Sequence, residues 1–196
     1  MSERQDTLQQ YVSDMLALER HIHEALERQS SSGSVRDHPE ASQLISRAEG
    51  ILKGHITALE QHLSSIGGDA GSPVKESVAA ALGVAAGLID RVRTQQVSKD
   101  LRDDYTAFSA AAISYTMLHT TGLALESRTT ADLAVRHLKE LTPVLVEISE
   151  VIPNVVVREL TDDSEMIDTT VAGEATRNTQ EAWDGDHVHA EHMHTY

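Results

Sequence analysis

The chain has 196 residues, 16 Lys and Arg against 31 Asp and Glu for a formal net charge of −15, and no cysteine. Disulfide scaffolds, thiolate metal sites and cysteine nucleophiles are thereby excluded. So large an acidic excess argues against a nucleic-acid or anionic-membrane surface, and aromatic residues at 3% are too few for a base-stacking platform.

The first segment places Leu8, Tyr11, Met15, Leu18, Ile22 and Leu26 at steps of three and four, the signature of one helix face, and Ser30–Gly33 ends it. Pro39 stands where a first helical turn tolerates proline. Ile45, Ala48, Leu52, Ile56, Leu59, Leu63 and Ile66 then predict a second helix stopped by Gly67-Gly68. Ser72 before Pro73 opens a third, expected to run to about Val97, in which Gly83 and Gly87 suit close helix packing. Its apolar stretch Val78–Ile89 is too short to span a bilayer.

Leu101, Tyr105, Phe108, Ala112, Tyr115, Leu118 and Gly122 mark a fourth helix, with Asp103-Asp104 as first-turn charge. Leu133, Leu138, Leu141, Leu145, Ile148 and Ile152 mark a fifth, where Pro143 predicts a kink. From residue 155 on, five Asp and five Glu face only Arg158 and Arg177, and no apolar period is sustained. That composition predicts a disordered acidic tail. The expected architecture is all-α: an antiparallel helical bundle over 1–154, four long helices plus one shorter, followed by a tail over 155–196. With Met1–Gln10 polar and no apolar leader, the expected location is cytoplasmic. The expected assembly is a homo-oligomer, a dimer, with no nucleic-acid or membrane partner.

Four stretches resemble the ferritin-like family of bacterial stress proteins typified by YciE and YciF. DMLALERHIHEAL (Asp14–Leu26) is similar to that family's DLYxAExQLxxAL. KGHITALEQHLSSIGG (Lys53–Gly68), AAGLIDRV (Ala85–Val92) and LRDDYTAFSAAAISY (Leu101–Tyr115) resemble its later helices in the same order. The resemblance implies a ferritin-like bundle and a stress-related role. Such bundles hold two irons with inward carboxylates and Glu–His pairs at one-turn spacing. Glu19, His55 and Glu140 fall on ligand positions of the family. Ile51 replaces a carboxylate, Ser114, Tyr115, Thr116 and Met117 replace a Glu-His-Tyr-Glu run, and Leu145 replaces an acid. A dinuclear centre is therefore not expected, for want of compensating charge.

The leading reading is a ferritin-like bundle without a working di-iron centre, in a structural or interaction role. The alternatives are a metalloprotein (ferroxidase, peroxidase or metal store), with one divalent ion such as iron, zinc or nickel on Glu19, His55 and Glu140, and metal handling by the tail. No catalytic residue is assigned. Absent an ion, Glu19 and His55 are expected to satisfy each other or to hold water. His21 and His23 are expected at the bundle edge. His55 and His62 share a face but stand too far apart to chelate one ion. His119 is expected to bond Tyr115, four residues earlier, and His137 with Glu140 to form a surface pair. In the tail, DHVHAEHMHTY gathers His187, His189, His192 and His194 in the last ten residues, a tract able to wrap Zn²⁺, Ni²⁺ or Cu²⁺.

Overall fold

The computed structural model describes residues 3–70, 97–163 and 168–184, and every regular element among them is a helix. These are α1 (Glu3–Ser30), α2 (Gly33–Arg36), α3 (Pro39–Ser65), α4 (Val97–Ala124), α5 (Arg128–Asp163) and α6 (Ala172–Asp184). No helix among the described residues is long and apolar enough to cross a membrane. The predicted third helix, with Gly83 and Gly87, and the four tail histidines lie outside the described residues.

Among the described residues four long helices form the body, and their cross-links fix their directions. Gln5 and Gln9 amides donate to the Ile66 carbonyl at 2.8 and 2.6 Å, and Arg20 pairs with Glu60, so α1 and α3 lie antiparallel. His119 reaches the Ala131 carbonyl and Ser98 reaches Glu159, so α4 and α5 do the same. Arg4–Glu126 and Gln29–Asp104 tie α1 to α4. His62–Thr130 and Arg47–Glu147 tie α3 to α5. Each of the four thus packs between two neighbours and runs antiparallel to both. In chain order the directions are up, down, down, up, and the chain leaves α3 at one end of the body and enters α4 at the other.

The core is a set of apolar stripes at the helical period. Val12, Met15, Ile22 and Leu26 come from α1, and Ile45, Ala48, Leu52, Leu59 and Leu63 from α3. Leu101, Phe108, Ala111 and Leu118 come from α4, and Ala134, Leu141, Val144, Ile148 and Val151 from α5. The buried face of α5 is rotated from the expected one: Leu138, Leu145 and Ile152 sit on its flank, half-buried. The boundary expected at residue 155 also moves. Val155 continues the stripe of Ile148 and Val151 and is 1% exposed, so the helix runs on to Asp163. It remains one helix through Pro143 and Pro153. Residues 172–184, also expected to be disordered, form α6, which packs on α5. Gln180 donates to Glu150 at 2.7 Å, and Trp183 meets the ring of Tyr105 edge-on at 5.6 Å.

Two helix ends share one device. At the end of α3 the Gly68 amide donates to the Leu63 carbonyl and the Gly67 amide to Ser64, with Gly67 at φ 79°, the expected stop. At the end of α4 the Ser127 amide donates to Gly122 and the Glu126 amide to Leu123, with Glu126 at φ 57°. Gly122 itself lets α4 approach α5 closely, because a Cβ there would stand 2.7 Å from the Ala131 nitrogen.

Candidate metal centre in the bundle core

One polar residue from each long helix interrupts the apolar stripes at the same level. Glu19 falls between Met15 and Ile22, His55 between Leu52 and Leu59, Tyr115 between Ala111 and Leu118, and His137 between Ala134 and Leu141. All four are buried, Glu19 and Tyr115 completely. The stripe spacing alone turns them inward. Because the helices alternate in direction, the four meet in one layer.

The layer is a connected network. The Tyr115 hydroxyl donates to Glu19 Oε1 at 2.6 Å and lies 2.8 Å from His137 Nδ1. With its one proton given to Glu19, it accepts from the imidazole, which places the His137 proton on Nδ1. His55 Nδ1 stands 3.0 Å from the same Glu19 oxygen, and His55 Nε2 stands 3.0 Å from Glu140 Oε2. The rings of His55 and His137 stack 3.8 Å apart and 1° from parallel. Glu140 is the outer member, its side chain 49% exposed. Glu19 Oε2 is buried without a partner among the described residues.

Burial dominates the electrostatics. It pushes the Glu19 carboxyl above the usual carboxylate range, against the pull of His55 and Tyr115. Burial, with Glu19 beside it, holds the Tyr115 phenol well above its ordinary range. His137 is pulled down to about 3, first by burial and then by the nearby His55 and Arg136 side chains. At neutral pH the layer therefore holds a neutral His137 and a neutral Tyr115.

One ligand atom each of Glu19, His55 and His137 lie within 4.8 Å of one another. Donors about 2.0–2.2 Å from a tetrahedral ion stand about 3.4 Å apart, and since imidazole lone pairs lie in the ring plane, closing this set on one cation requires one of the stacked rings to turn. The orphaned Glu19 oxygen adds a further donor pointing into the protein. A second grouping, His23, Glu27 and Glu49, lies at the α1–α3 surface.

The structure brings Glu19, His55 and Glu140 together as three consecutive links. It also corrects three expectations. Tyr115 bonds His137 rather than His119, which instead reaches the Ala131 carbonyl. His137 is buried and makes no surface pair, and Glu140 turns to His55. Asp104 does not serve as first-turn charge: α4 begins seven residues earlier at Val97, and Asp104 is buried against Gln29. Tyr115 was legible as a stripe position, though not as the partner of His137, which was expected at the surface. His21 is exposed and His23 half-buried, at the bundle edge as expected.

No family model, no curated protein and no solved structure matches this chain.

Proposed function

We propose that this chain is a ferritin-like helical bundle, akin to the stress proteins typified by YciE and YciF, that holds a single transition-metal ion in its core. The observation that carries the metal reading is the buried meeting of Glu19, His55 and His137, with one carboxylate oxygen left unpartnered. Two imidazoles and a carboxylate are a donor set that suits iron, zinc and their neighbours. The up-down-down-up order of the four helices supports the ferritin-like part, since that fold has one connection crossing the length of the bundle.

A dinuclear centre is not part of the proposal. Beyond Glu19 the nearest acid is the half-exposed Glu140, while Ile51 is apolar and Met117 points to solvent. A second ion in the core would carry uncompensated charge into a low-dielectric interior. A second reading has its own support: His55 is already bonded at both nitrogens, as in a purely structural polar layer.

Cobalt(II) separates the two, because its visible spectrum reports coordination directly. The full chain, with His23, His187, His189, His192 and His194 changed to Ala to silence other donors, is titrated with Co²⁺. The expected result is one ion per chain with a low-symmetry spectrum, lost in Glu19→Gln. No bound cobalt, or cobalt bound equally by Glu19→Gln, overturns the metal reading in favour of the structural layer.

A further inference from the structure

Resting on the core metal site just proposed, we infer that Tyr115 supplies a phenolate ligand that lets this site accept trivalent iron. The geometry comes first. The Tyr115 oxygen is 2.6 Å from Glu19 Oε1 and 2.8 Å from His137 Nδ1, so it already touches two members of the donor set and is completely buried with them. It comes from α4, the one long helix among the described residues that adds nothing to the Glu19, His55 and His137 grouping. With it, every long helix of the body contributes a donor to the same layer.

Charge supplies the second argument. Net charge is costly in a buried site, so the ion's charge must be matched by its ligands. Glu19 and Glu140 as carboxylates balance a divalent ion, while His55 and His137 bind as neutral imidazoles. A trivalent ion needs one more anion. Among the described residues, Tyr115 is the only other side chain in contact with the cluster that can become one. The Tyr115 O–H proton is released to bulk water as the hard phenolate oxygen bonds the hard ferric ion, and no electron is transferred. The hydroxyl that bridges Glu19 and His137 in the ion-free protein becomes the ligand that separates ferric from divalent ions.

Ferric nitrilotriacetate is the probe. In the full chain carrying the same five His→Ala changes, ferric loading is expected to produce a visible phenolate-to-iron band, with tyrosinate modes in resonance Raman spectra excited into it. Tyr115→Phe is expected to abolish the band and weaken ferric binding by roughly tenfold or more, while Co²⁺ affinity stays within about threefold. If Tyr115→Phe fails to fold, the reciprocal chain with Tyr11, Tyr105 and Tyr196 changed to Phe must keep the band. Glu19-dependent Co²⁺ binding without a ferric phenolate band overturns this inference alone. Binding of neither ion overturns the core metal site with it. A band that survives Tyr115→Phe, or disappears in the reciprocal chain, assigns the phenolate elsewhere and overturns the role of Tyr115.

Discussion

His137 Nδ1 lies 2.8 Å from the Tyr115 hydroxyl, which gives its own proton to Glu19 and accepts from the imidazole, while burial keeps the His137 ring neutral. The native imidazole releases its proton at about 3, against 6.5 for a free histidine. Between those values the unfolded chain binds more protons, so folding stability contributed by His137 is present above about pH 6.5 and is lost as pH falls toward 3. His137→Asn, which keeps a donor near the Nδ1 position, should remove this acid-side loss. Urea unfolding of both proteins from pH 7 to pH 4 checks it, and a stability difference constant over that range would contradict it.

Asp104 gives the opposite slope. Burial, with Asp100 and Asp103 nearby, raises its carboxyl to about 7 from 3.8, and Gln29 offsets this only in part. Its Oδ2 and the Gln29 Oε1 are both buried without partners. The native state holds this proton more tightly than the unfolded chain. Stability from the group is therefore full below about pH 4 and is lost as pH rises through about 7. Asp104→Asn should be increasingly more stable than the parent as pH rises from 4 to 8. The difference between 3.8 and about 7 is some three pH units, which sets an upper bound of about 4 kcal/mol. Parallel denaturation curves at both ends of the range would show that the carboxyl is solvated in solution.

The turn between α4 and α5 asks a glutamate to do the work of a glycine. Glu126 holds φ 57° at the position Gly67 occupies after α3. The left-handed conformation costs a residue with a Cβ about 1–2 kcal/mol. Glu126→Gly loses only the exposed pair with Arg4, worth about 0–1 kcal/mol. The substitution should leave the protein unchanged or up to about 1 kcal/mol more stable. Gly67→Ala should cost about 1 kcal/mol, since its Cβ would also approach the Gln5 amide at 3.3 Å. Thermal midpoints of the two variants moving in the same direction would refute the comparison.

How much of this could be read without coordinates differs from element to element. α1 and α3 were legible, because Leu and Ile mark their stripes densely and Gly67-Gly68 closes the second. Glu19 and His55 were visible as polar positions inside those stripes. On α5 the large aliphatic residues Leu138, Leu145 and Ile152 drew the face toward one flank. The buried stripe passes instead through Ala134, His137 and Val144. A small residue and an imidazole weigh little in a pattern of hydrophobicity, so His137 was read as surface. Tyr115 was given its nearest histidine along the helix, because periodicity carries no information about the facing helix. The boundary at 155 failed because composition over 42 residues outweighed one valine that continues the core.

The polar layer also sets how the two halves of the body find each other. Glu19 and His55 are already bonded within the α1–α3 pair, and Tyr115 and His137 within the α4–α5 pair. Each helical hairpin can assemble its own half from local contacts, and only docking of the two joins Tyr115 to Glu19, stacks the imidazoles and brings Glu140 to His55. Leucine stripes tolerate a slip of one helical turn, about 5.4 Å, with modest loss. The layer does not, because the same slip strands several buried polar groups at about 1–3 kcal/mol each. It acts as an index mark: a misaligned docking fails where hydrophobic packing alone would accept it.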